Sequence, residues 1–193
     1  MTKQKIFIDI DNTILPLIEE IIIRYNLKYC DNVSSDKITD YDISKHIKPQ
    51  CTSIFKEFAS DDLFGNVIPY EGAVESMVYL NSKYELYFVS AGHPNSMKFR
   101  DKWLDKHFNF YSSAQLVMLR NKKMLNGDLL IDDYIENLIG GSYEKLLFRM
   151  PWNDNVPKSV LLQNTIYNID SWSESSLRVI DNIMEHRERK NSY

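Results

Sequence analysis

The chain has 193 residues, 44% hydrophobic and 12% aromatic, which predicts one domain, with room for an insertion, that buries a sizeable core. Its 23 lysines and arginines stand against 27 aspartates and glutamates, giving a formal net charge of -4. This balance argues against a broad basic surface for duplex nucleic acid, although it leaves room for a nucleotide-sized ligand.

The sequence pattern predicts neither a membrane span nor a signal peptide. The longest apolar stretch, residues 15–23, contains Glu19 and Glu20, which is untypical of a bilayer span. The N-terminal residues lack the long apolar region of a secretory signal. Cys30 and Cys51 have no metal-binding or redox spacing, so we expect free thiols in a reducing compartment, the cytoplasm.

Apolar runs and helical periodicities alternate along most of the chain. This alternation predicts a three-layer α/β/α fold, with a mostly parallel sheet between helices. The predicted strands are residues 5–9, 84–89, 115–119, 129–131 and 145–148. The predicted helices include residues 73–82 and 95–108. A last helix is predicted to begin at residues 171–174, which resemble a capping box, and to end at about residue 187.

The segment between the first two strands is longer than a parallel crossover needs. It begins with a helix opened by Pro16, continues with a predicted helix at residues 49–58, and reads as loop at residues 61–70. Because no convincing core strand occurs there, we predict a small helical cap of residues 15–70 inserted after the first strand. Residues 1–14 and 71–193 would then form the α/β core.

Polar residues follow four predicted strands at the points where they end. These residues are Asp9 and Asp11, then Ser90, then Lys122, then Asp132 and Asp133. Ligands of open parallel sheets bind at the carboxyl ends of the strands, so these segments would meet in one crevice if the strands are neighbours. Carboxylates with a hard cation, a hydroxyl and a lysine can hold and transfer a phosphoryl group.

Each of these residues also has a structural interpretation when it is taken alone. Asp-x-Asp is a common turn motif, a serine after a strand is usually a turn residue, a lone lysine is usually a solvated loop charge, and Asp-Asp often caps a helix. The joint order and spacing favour a shared site, because chance must reproduce the pattern at four places. Asp128 reads as structural or as a support behind the site residues, His93 could line the site or serve the loop, and residues 98–106 read as a solvated helix face.

In these motifs the chain resembles the haloacid dehalogenase-like phosphohydrolase superfamily. Residues 9–13 match its first motif, Ser90 its second, Lys122 its third and residues 127–133 its fourth. Residues 68–73, 89–94, 102–108 and 170–172 make the chain most similar to the 5'(3')-deoxyribonucleotidases. That resemblance implies a Rossmann-like core. Asn12 and Thr13 depart from this subfamily, which usually has glycine and a small apolar residue there.

The resemblance implies a covalent mechanism that depends on Mg²⁺. Asp9 would attack phosphorus, and Asp11 would protonate the leaving oxygen and then activate water. Magnesium would be held by Asp9, the backbone carbonyl of Asp11 and one aspartate of the next pair, with Asp133 preferred and Asp132 orienting.

The remaining site predictions concern the substrate, which the resemblance implies is a deoxyribonucleoside monophosphate. Ser90, Ala91 and Lys122 would hold its phosphate. Three cap aromatics could stack on its base or form the cap's own small core: Phe55, Phe58 and Phe64. We expect no stable nucleic-acid complex and no membrane partner, and the sequence leaves a homodimer open.

The sequence leaves three rival functions open. Asn12 and Thr13 favour a phosphatase for another small phosphometabolite. A catalytically silent magnesium-binding interaction module would keep the fold without turnover. A phosphatase for DNA or RNA ends is disfavoured by the net acidity and by a cap that would close the site.

Overall fold

A computed structural model describes residues 3–191 of the chain, with a six-stranded sheet at its centre. The strands are β1 (Lys5–Asp9), β2 (Glu85–Ser90), β3 (Leu116–Met118), β4 (Leu129–Asp132), β5 (Glu144–Phe148) and β6 (Ile166–Ile169). Their order in the sheet is β3-β2-β1-β4-β5-β6, and every neighbouring pair is parallel. The predicted parallel α/β fold is confirmed.

Helices cover both faces of this sheet. They are α1 (Leu17–Tyr29), α2 (Asp61–Asn66), α3 (Ala73–Lys83), α4 (Pro94–His107), α5 (Ile135–Leu138), α6 (Lys158–Gln163) and α7 (Glu174–Asn191). Ile6 and Ile8 of β1 belong to the cluster that includes residues of α3, α4 and α7, whereas Phe7 belongs to the cluster that includes residues of α5 and α6. The sheet is therefore buried on both sides, as continuous apolar strands require. Among the described residues no helix has the length and apolarity needed to cross a bilayer.

Several elements differ from the sequence-based prediction. Residues predicted as an α-helix at 49–58 form a 3₁₀ helix, Pro49–Ala59. The first part of the predicted loop at 61–70 is the helix α2, whose Leu63 amide donates to the Ser60 hydroxyl at 3.2 Å. Strand β6 was missed because its two middle residues, Tyr167 and Asn168, are both exposed at the sheet edge, which hides the strand alternation. Helices α5 and α6 are too short to show a period.

The inserted segment packs on the same apolar cluster as the sheet. Ile21 of α1, Ile54 of the 3₁₀ helix and Leu63 of α2 are buried and belong to the cluster that contains Ile8 of β1. The division into a cap of residues 15–70 and a core of residues 1–14 and 71–193 stays a prediction. Residues 1–2 and 192–193, which that core includes, lie outside the described residues.

Gly72 joins the inserted segment to α3 in a conformation that disfavours a side chain. Its φ is +75°, and a Cβ there would lie 2.0 Å from the carbonyl oxygen of Trp172. We predict that Gly72→Ala lowers the free energy of unfolding by more than about 2 kcal/mol, since it adds left-handed strain and a backbone clash. Urea denaturation measures the change.

Gly65 provides the matched control for this substitution. It lies inside α2, and a Cβ there would meet nothing within 4 Å. Gly65→Ala should leave the stability unchanged or raise it by about 0.5–1 kcal/mol, because alanine is the better helix former. Equal unfolding free energies for the two variants would contradict the close approach of Gly72 to Trp172.

Candidate active site

The predicted site residues lie at the carboxyl ends of three neighbouring central strands. Asp9 is the last residue of β1, Ser90 of β2 and Asp132 of β4. Because β1 pairs in parallel with both β2 and β4, all three ends fall on one edge of the sheet. Lys122 reaches the same edge from the 3₁₀ helix Lys122–Met124, between β3 and β4.

Three buried carboxylates form a compact cluster at this edge. Asp9, Asp132 and Asp133 each offer a carboxylate oxygen, and these oxygens lie within 4.8 Å of one another. All three residues are at most 5% exposed. Hard divalent cations prefer such oxygen donors, so the cluster fits a divalent metal ion in ligand type and spacing.

Lys122 is the cation of this cluster. It is 1% exposed, and its Nζ donates to Oδ2 of Asp132 at 2.6 Å and also to Oδ1 of Asp9. Burial opposes the charge on this ammonium, but the carboxylates of Asp132 and Asp9 outweigh it and raise the pKa of Lys122 above its ordinary value. Lys122 is therefore held as a charged ammonium between two strand ends.

One ammonium does not neutralise the carboxylates around it. Burial raises the pKa of Asp9 well above its ordinary value, and the nearby Lys122 does not cancel that effect. Burial likewise raises the pKa of Asp133, and the carboxylates of Asp9 and Asp132 raise it further. These directions mark a site short of positive charge, which a bound divalent cation would supply.

Asp132 and Asp133 differ in their hydrogen bonds. Oδ1 of Asp132 accepts from the Tyr134 amide at 2.9 Å, and both of its oxygens accept from Nδ2 of Asn137 at 3.1 Å. Among the described residues, the Asp133 carboxylate has a single side-chain donor, Nε1 of Trp152, which donates to Oδ2 at 3.0 Å. The contacts fit the predicted division in which Asp133 binds metal and Asp132 orients the site, although these roles stay predictions.

The carboxylate of Asp11 is turned away from this cluster toward Arg100. Nε of Arg100 donates to Oδ1 of Asp11 at 2.9 Å and Nη2 donates to Oδ2 at 2.7 Å. The Ser90 hydroxyl lies 3.4 Å from Oδ2 of Asp11 and accepts from the Gly92 amide at 3.0 Å. The Asp11 side chain is therefore engaged by Arg100, and the contribution of its backbone carbonyl to a metal site stays a prediction.

Arg100 is a site residue that sequence reasoning missed. It falls in residues 98–106, which were predicted as a solvated helix face, yet it is 3% exposed. That prediction is wrong at this position, because Arg100 follows buried Ser96 by one helical turn and precedes buried Leu104 by another. The spacing placed it on the buried face, and this signal could have identified it.

The turn after β1 explains why asparagine can stand at position 12, where the 5'(3')-deoxyribonucleotidases usually have glycine. Asn12 has a φ of 59°, in the left-handed region that glycine and asparagine tolerate best. Its Oδ1 accepts from the Ile18 amide at 2.8 Å, close to the start of α1. Asn12 thus supplies the backbone conformation of the usual glycine and also satisfies a helix donor.

A cavity of about 560 Å³ opens beside Asp11 and Arg100. Its aromatic lining comes from Tyr41, Phe55, Phe58 and Trp152, and His93 also lines it. Sequence reasoning missed Tyr41 and Trp152. Trp152 follows β5, so the strand-end rule that selected the aspartates could have found it. Tyr41 carried no such signal, since it lies in a turn-rich segment.

Two predicted site residues, Phe64 and Ala91, do not line this cavity. Phe64 was predicted with the base pocket, but it is 2% exposed and stacks on Phe99 at 5.9 Å between ring centroids. It is absent from the lining of the cavity, so its placement favours the alternative that it is a packing residue. Ala91 is exposed directly after Ser90, and its phosphate contact stays a prediction. Asp128 is structural as expected, since Oδ2 accepts from the Lys5 amide at 2.8 Å, at the opposite end of β1.

Comparisons with known proteins match the chain to one family. The family described as 5' nucleotidase, deoxy (pyrimidine), cytosolic type C protein matches residues 3–183. The chain is 29% identical over 181 residues to a 5'(3')-deoxyribonucleotidase of Bacillus subtilis, covering 92% of this chain and 99% of that protein. It is 31% identical over 149 residues to a 5'(3')-deoxyribonucleotidase of Clostridium acetobutylicum, covering 77% of this chain and 83% of that protein.

Solved structures of low sequence identity share the fold. A haloacid dehalogenase-like hydrolase from Streptococcus pneumoniae has a TM-score of 0.63 at 11% identity, covering 93% of this chain and 98% of that chain. A related hydrolase from Bacillus subtilis, bound to magnesium, has a TM-score of 0.53 at 13% identity, covering 94% of this chain and 100% of that chain. The chain therefore belongs to the 5' nucleotidase, deoxy (pyrimidine), cytosolic type C family of phosphoric monoester hydrolases, within the haloacid dehalogenase-like superfamily.

Proposed function

We propose that this chain hydrolyses deoxyribonucleoside monophosphates with the help of Mg²⁺ and through an aspartyl-phosphate on Asp9. The observation that carries the proposal is the position of Asp11 and Asp9. Asp9 belongs to the buried acidic cluster, whereas Asp11 lines the adjoining aromatic cavity. A phosphoryl group bound between the two would face a nucleophile on one side and an acid/base on the other.

The two half-reactions divide between these aspartates. A carboxylate oxygen of Asp9 forms a bond to phosphorus while the bond from phosphorus to the nucleoside oxygen breaks, and the carboxyl of Asp11 gives that oxygen its proton. Water then bonds to phosphorus and loses a proton to Asp11, and the bond between phosphorus and Asp9 breaks. Inorganic phosphate leaves, and both aspartates return to their starting states.

The other residues of the cluster balance the negative charge of the phosphoryl group and of the carboxylates. Asp9, Asp133 and the Asp11 carbonyl would hold Mg²⁺, with Asp132 orienting them, and the bound ion would offset negative charge on the phosphoryl oxygens. Lys122 holds the orientation of Asp9 through the contact described above. Ser90 lies within reach of the same space, because its hydroxyl is beside Asp11.

The position of Asp11 also supports one cavity as the nucleoside site. The leaving oxygen must lie next to the group that protonates it, so the nucleoside belongs in the cavity that Asp11 lines. At about 560 Å³ that cavity has the size of a small-ligand site. Tyr41, Phe55 and Phe58 offer it aromatic faces for a base. A neighbouring cavity of about 430 Å³, behind Trp152, is not lined by either aspartate.

The substrate class is also supported by the relatives that are named as 5'(3')-deoxyribonucleotidases. Asn12 and Thr13 favour another small phosphometabolite in the sequence, but the left-handed backbone of Asn12 and its contact to Ile18 account for that residue without reference to substrate. The described cysteines, Cys30 and Cys51, are free thiols, which supports a cytoplasmic location as part of the same proposal.

The first prediction here concerns the metal. Asp133→Asn should weaken Mg²⁺ binding at least about tenfold in isothermal titration calorimetry, because it removes a charged ligand. Without metal the same variant should unfold at a higher temperature than the wild type, since it relieves crowding among buried carboxylates. Asp154→Asn is the control, because Asp154 is an exposed partner of Arg149. Unchanged affinity in Asp133→Asn and also in Asp9→Asn would refute the site.

The second prediction concerns the nucleophile. Asp9→Asn should reduce phosphate release to the background rate, because an amide does not attack phosphorus. Asp11→Asn should retain a slow reaction, about 10²–10⁴-fold below the wild type, the usual contribution of a general acid or base. Steady-state phosphate release at saturating Mg²⁺ measures both. Turnover of Asp9→Asn near the wild-type rate would overturn the assignment.

The third prediction concerns substrate choice. Deoxyribonucleoside monophosphates should exceed sugar phosphates, phosphoserine and oligonucleotide ends in kcat/KM. They should exceed ribonucleotides as well, because a 2'-hydroxyl buried without a partner costs about 1–3 kcal/mol. A phosphate-release panel measures these ratios. If sugar phosphates are the better substrates, the substrate class is wrong and the phosphohydrolase chemistry is retained.

Phe55 and Phe58 provide variants for the same panel. Phe55→Leu or Phe58→Leu should lower kcat/KM for nucleotides by about 2- to 10-fold, the value of an aromatic pair, while sparing small alkyl phosphates. Phe110→Leu is the control, since Phe110 packs near Phe88 away from the cavity. Equal losses for nucleotides and alkyl phosphates would show that the two aromatic residues only stabilise the fold.

A further inference from the structure

Arg100 is a second buried cation in the site. It is 3% exposed, and it lies on α4 beside the turn that carries Asp11. Burying a guanidinium away from water is costly unless its donors find acceptors. The hydrogen-bond acceptors of Arg100 therefore indicate which group this side chain positions.

Its hydrogen bonds orient a planar fork toward Asp11. Nε and Nη2 donate to the two oxygens of that carboxylate, at 2.9 Å and 2.7 Å. Nη1 donates to the Ser96 hydroxyl at 2.8 Å and to the Ser96 carbonyl at 3.3 Å, one turn back on the same helix. A fork held on both sides fixes the plane and the rotation of the carboxylate that it binds.

Two further residues shape the space around this guanidinium. The Phe64 ring lies against it, with the ring centroid 4.9 Å from the guanidinium carbon, a distance at which an aromatic face attracts a cation. On another side lies Gly92, where a Cβ would come 3.0 Å from that carbon and 3.1 Å from the Ser90 hydroxyl. The guanidinium is thus held between the strand-end loop after β2 and the helix α2 of the inserted segment.

We propose that Arg100 is the positioning residue of Asp11, and that Phe64 makes this positioning depend on the inserted segment. The proposal rests on the proposed function, because it takes from there the role of Asp11 toward the leaving oxygen. Arg100 fixes the carboxylate on the side of the aromatic cavity, while Lys122 fixes Asp9 on the other side. Movement of α2 away from the core would remove the Phe64 face and loosen the fork.

The competing explanation is that the ion pair of Arg100 with Asp11 only stabilises the fold. Substrates with different leaving groups distinguish this explanation from a positioning role. A nucleoside oxygen needs a proton as it leaves, whereas 2,4-dinitrophenolate leaves without one. A group that positions the acid therefore matters to the first ester and little to the second. A group that only stabilises the fold, or only binds phosphate, affects kcat/KM for both esters equally.

The experiment compares a deoxyribonucleoside monophosphate with 2,4-dinitrophenyl phosphate at saturating Mg²⁺. For Arg100→Gln we expect kcat/KM to fall more than about 100-fold for the nucleotide and less than about 10-fold for the aryl ester, as expected for a lost acid. Arg100→Lys should recover only part of the nucleotide rate, because an ammonium cannot bind both oxygens in one plane. Phe64→Leu should show the same selective loss with a smaller magnitude.

Lys102→Gln is the matched control for these variants. Lys102 lies on the same helix and also reaches α2, through an exposed contact with Asp61 at 3.2 Å, but it touches no site residue. It should keep wild-type rates with both esters. If Arg100→Gln does not fold, Gly92→Ala takes its place, since its Cβ would lie 3.0 Å from the guanidinium carbon and press on it from the loop side. Because that Cβ would also lie 3.1 Å from the Ser90 hydroxyl, a loss selective for the nucleotide supports the proposal and an equal loss with both esters refutes it.

The outcomes separate this proposal from the proposed function. A wild-type chain that hydrolyses both esters, together with equal losses in the Arg100 variants, refutes only the positioning role. Wild-type rates in Arg100→Gln refute it as well. A wild-type chain that hydrolyses neither ester refutes the proposed function and this assignment with it.

Discussion

The active site is built around three buried carboxylates that crowd one buried ammonium at the carboxyl edge of the sheet. Asp9, Asp132 and Asp133 lie within 4.8 Å of one another, and Lys122 contacts two of them. Burial raises the pKa of Asp9 and of Asp133, so the protein holds these groups in an arrangement unfavourable for its charges alone. Parallel strands and their hydrogen bonds maintain this arrangement, and a divalent cation would relieve it.

Asp9 and Asp11, only two residues apart, have different environments. The turn that begins at Asn12 lets the chain leave β1 sharply, and Asp9 remains with Lys122 while Asp11 turns to Arg100. One carboxylate is buried in the acidic cluster, and the other borders an aromatic cavity. Separate partners for neighbouring carboxylates allow them separate chemical tasks, and this contrast underlies the proposed division between nucleophile and acid/base.

Much of this arrangement could be predicted from the sequence, for a physical reason. In a parallel sheet, residues that end neighbouring strands must meet, so Asp9, Ser90 and Asp132 could be placed together from strand ends alone. The helical spacing of Arg100 with Ser96 and Leu104 indicates a buried side chain but not its partner, and Tyr41 lies in a turn-rich segment with no periodicity, so only the folded chain shows what these two side chains contact. The residue type of Phe64 makes it a candidate for the base pocket, but residue type does not distinguish a ring that lines a cavity from one that packs against a guanidinium.

Trapping the covalent intermediate tests the central claim most directly. In Asp11→Asn, 2,4-dinitrophenyl phosphate should still phosphorylate Asp9, because its leaving group needs no acid, while hydrolysis of the intermediate is slowed. Borohydride reduction of the quenched protein should then convert residue 9 to homoserine, detected by mass spectrometry of the peptide and absent without substrate. Release of dinitrophenolate with residue 9 unmodified, or with homoserine at another aspartate, would contradict the account.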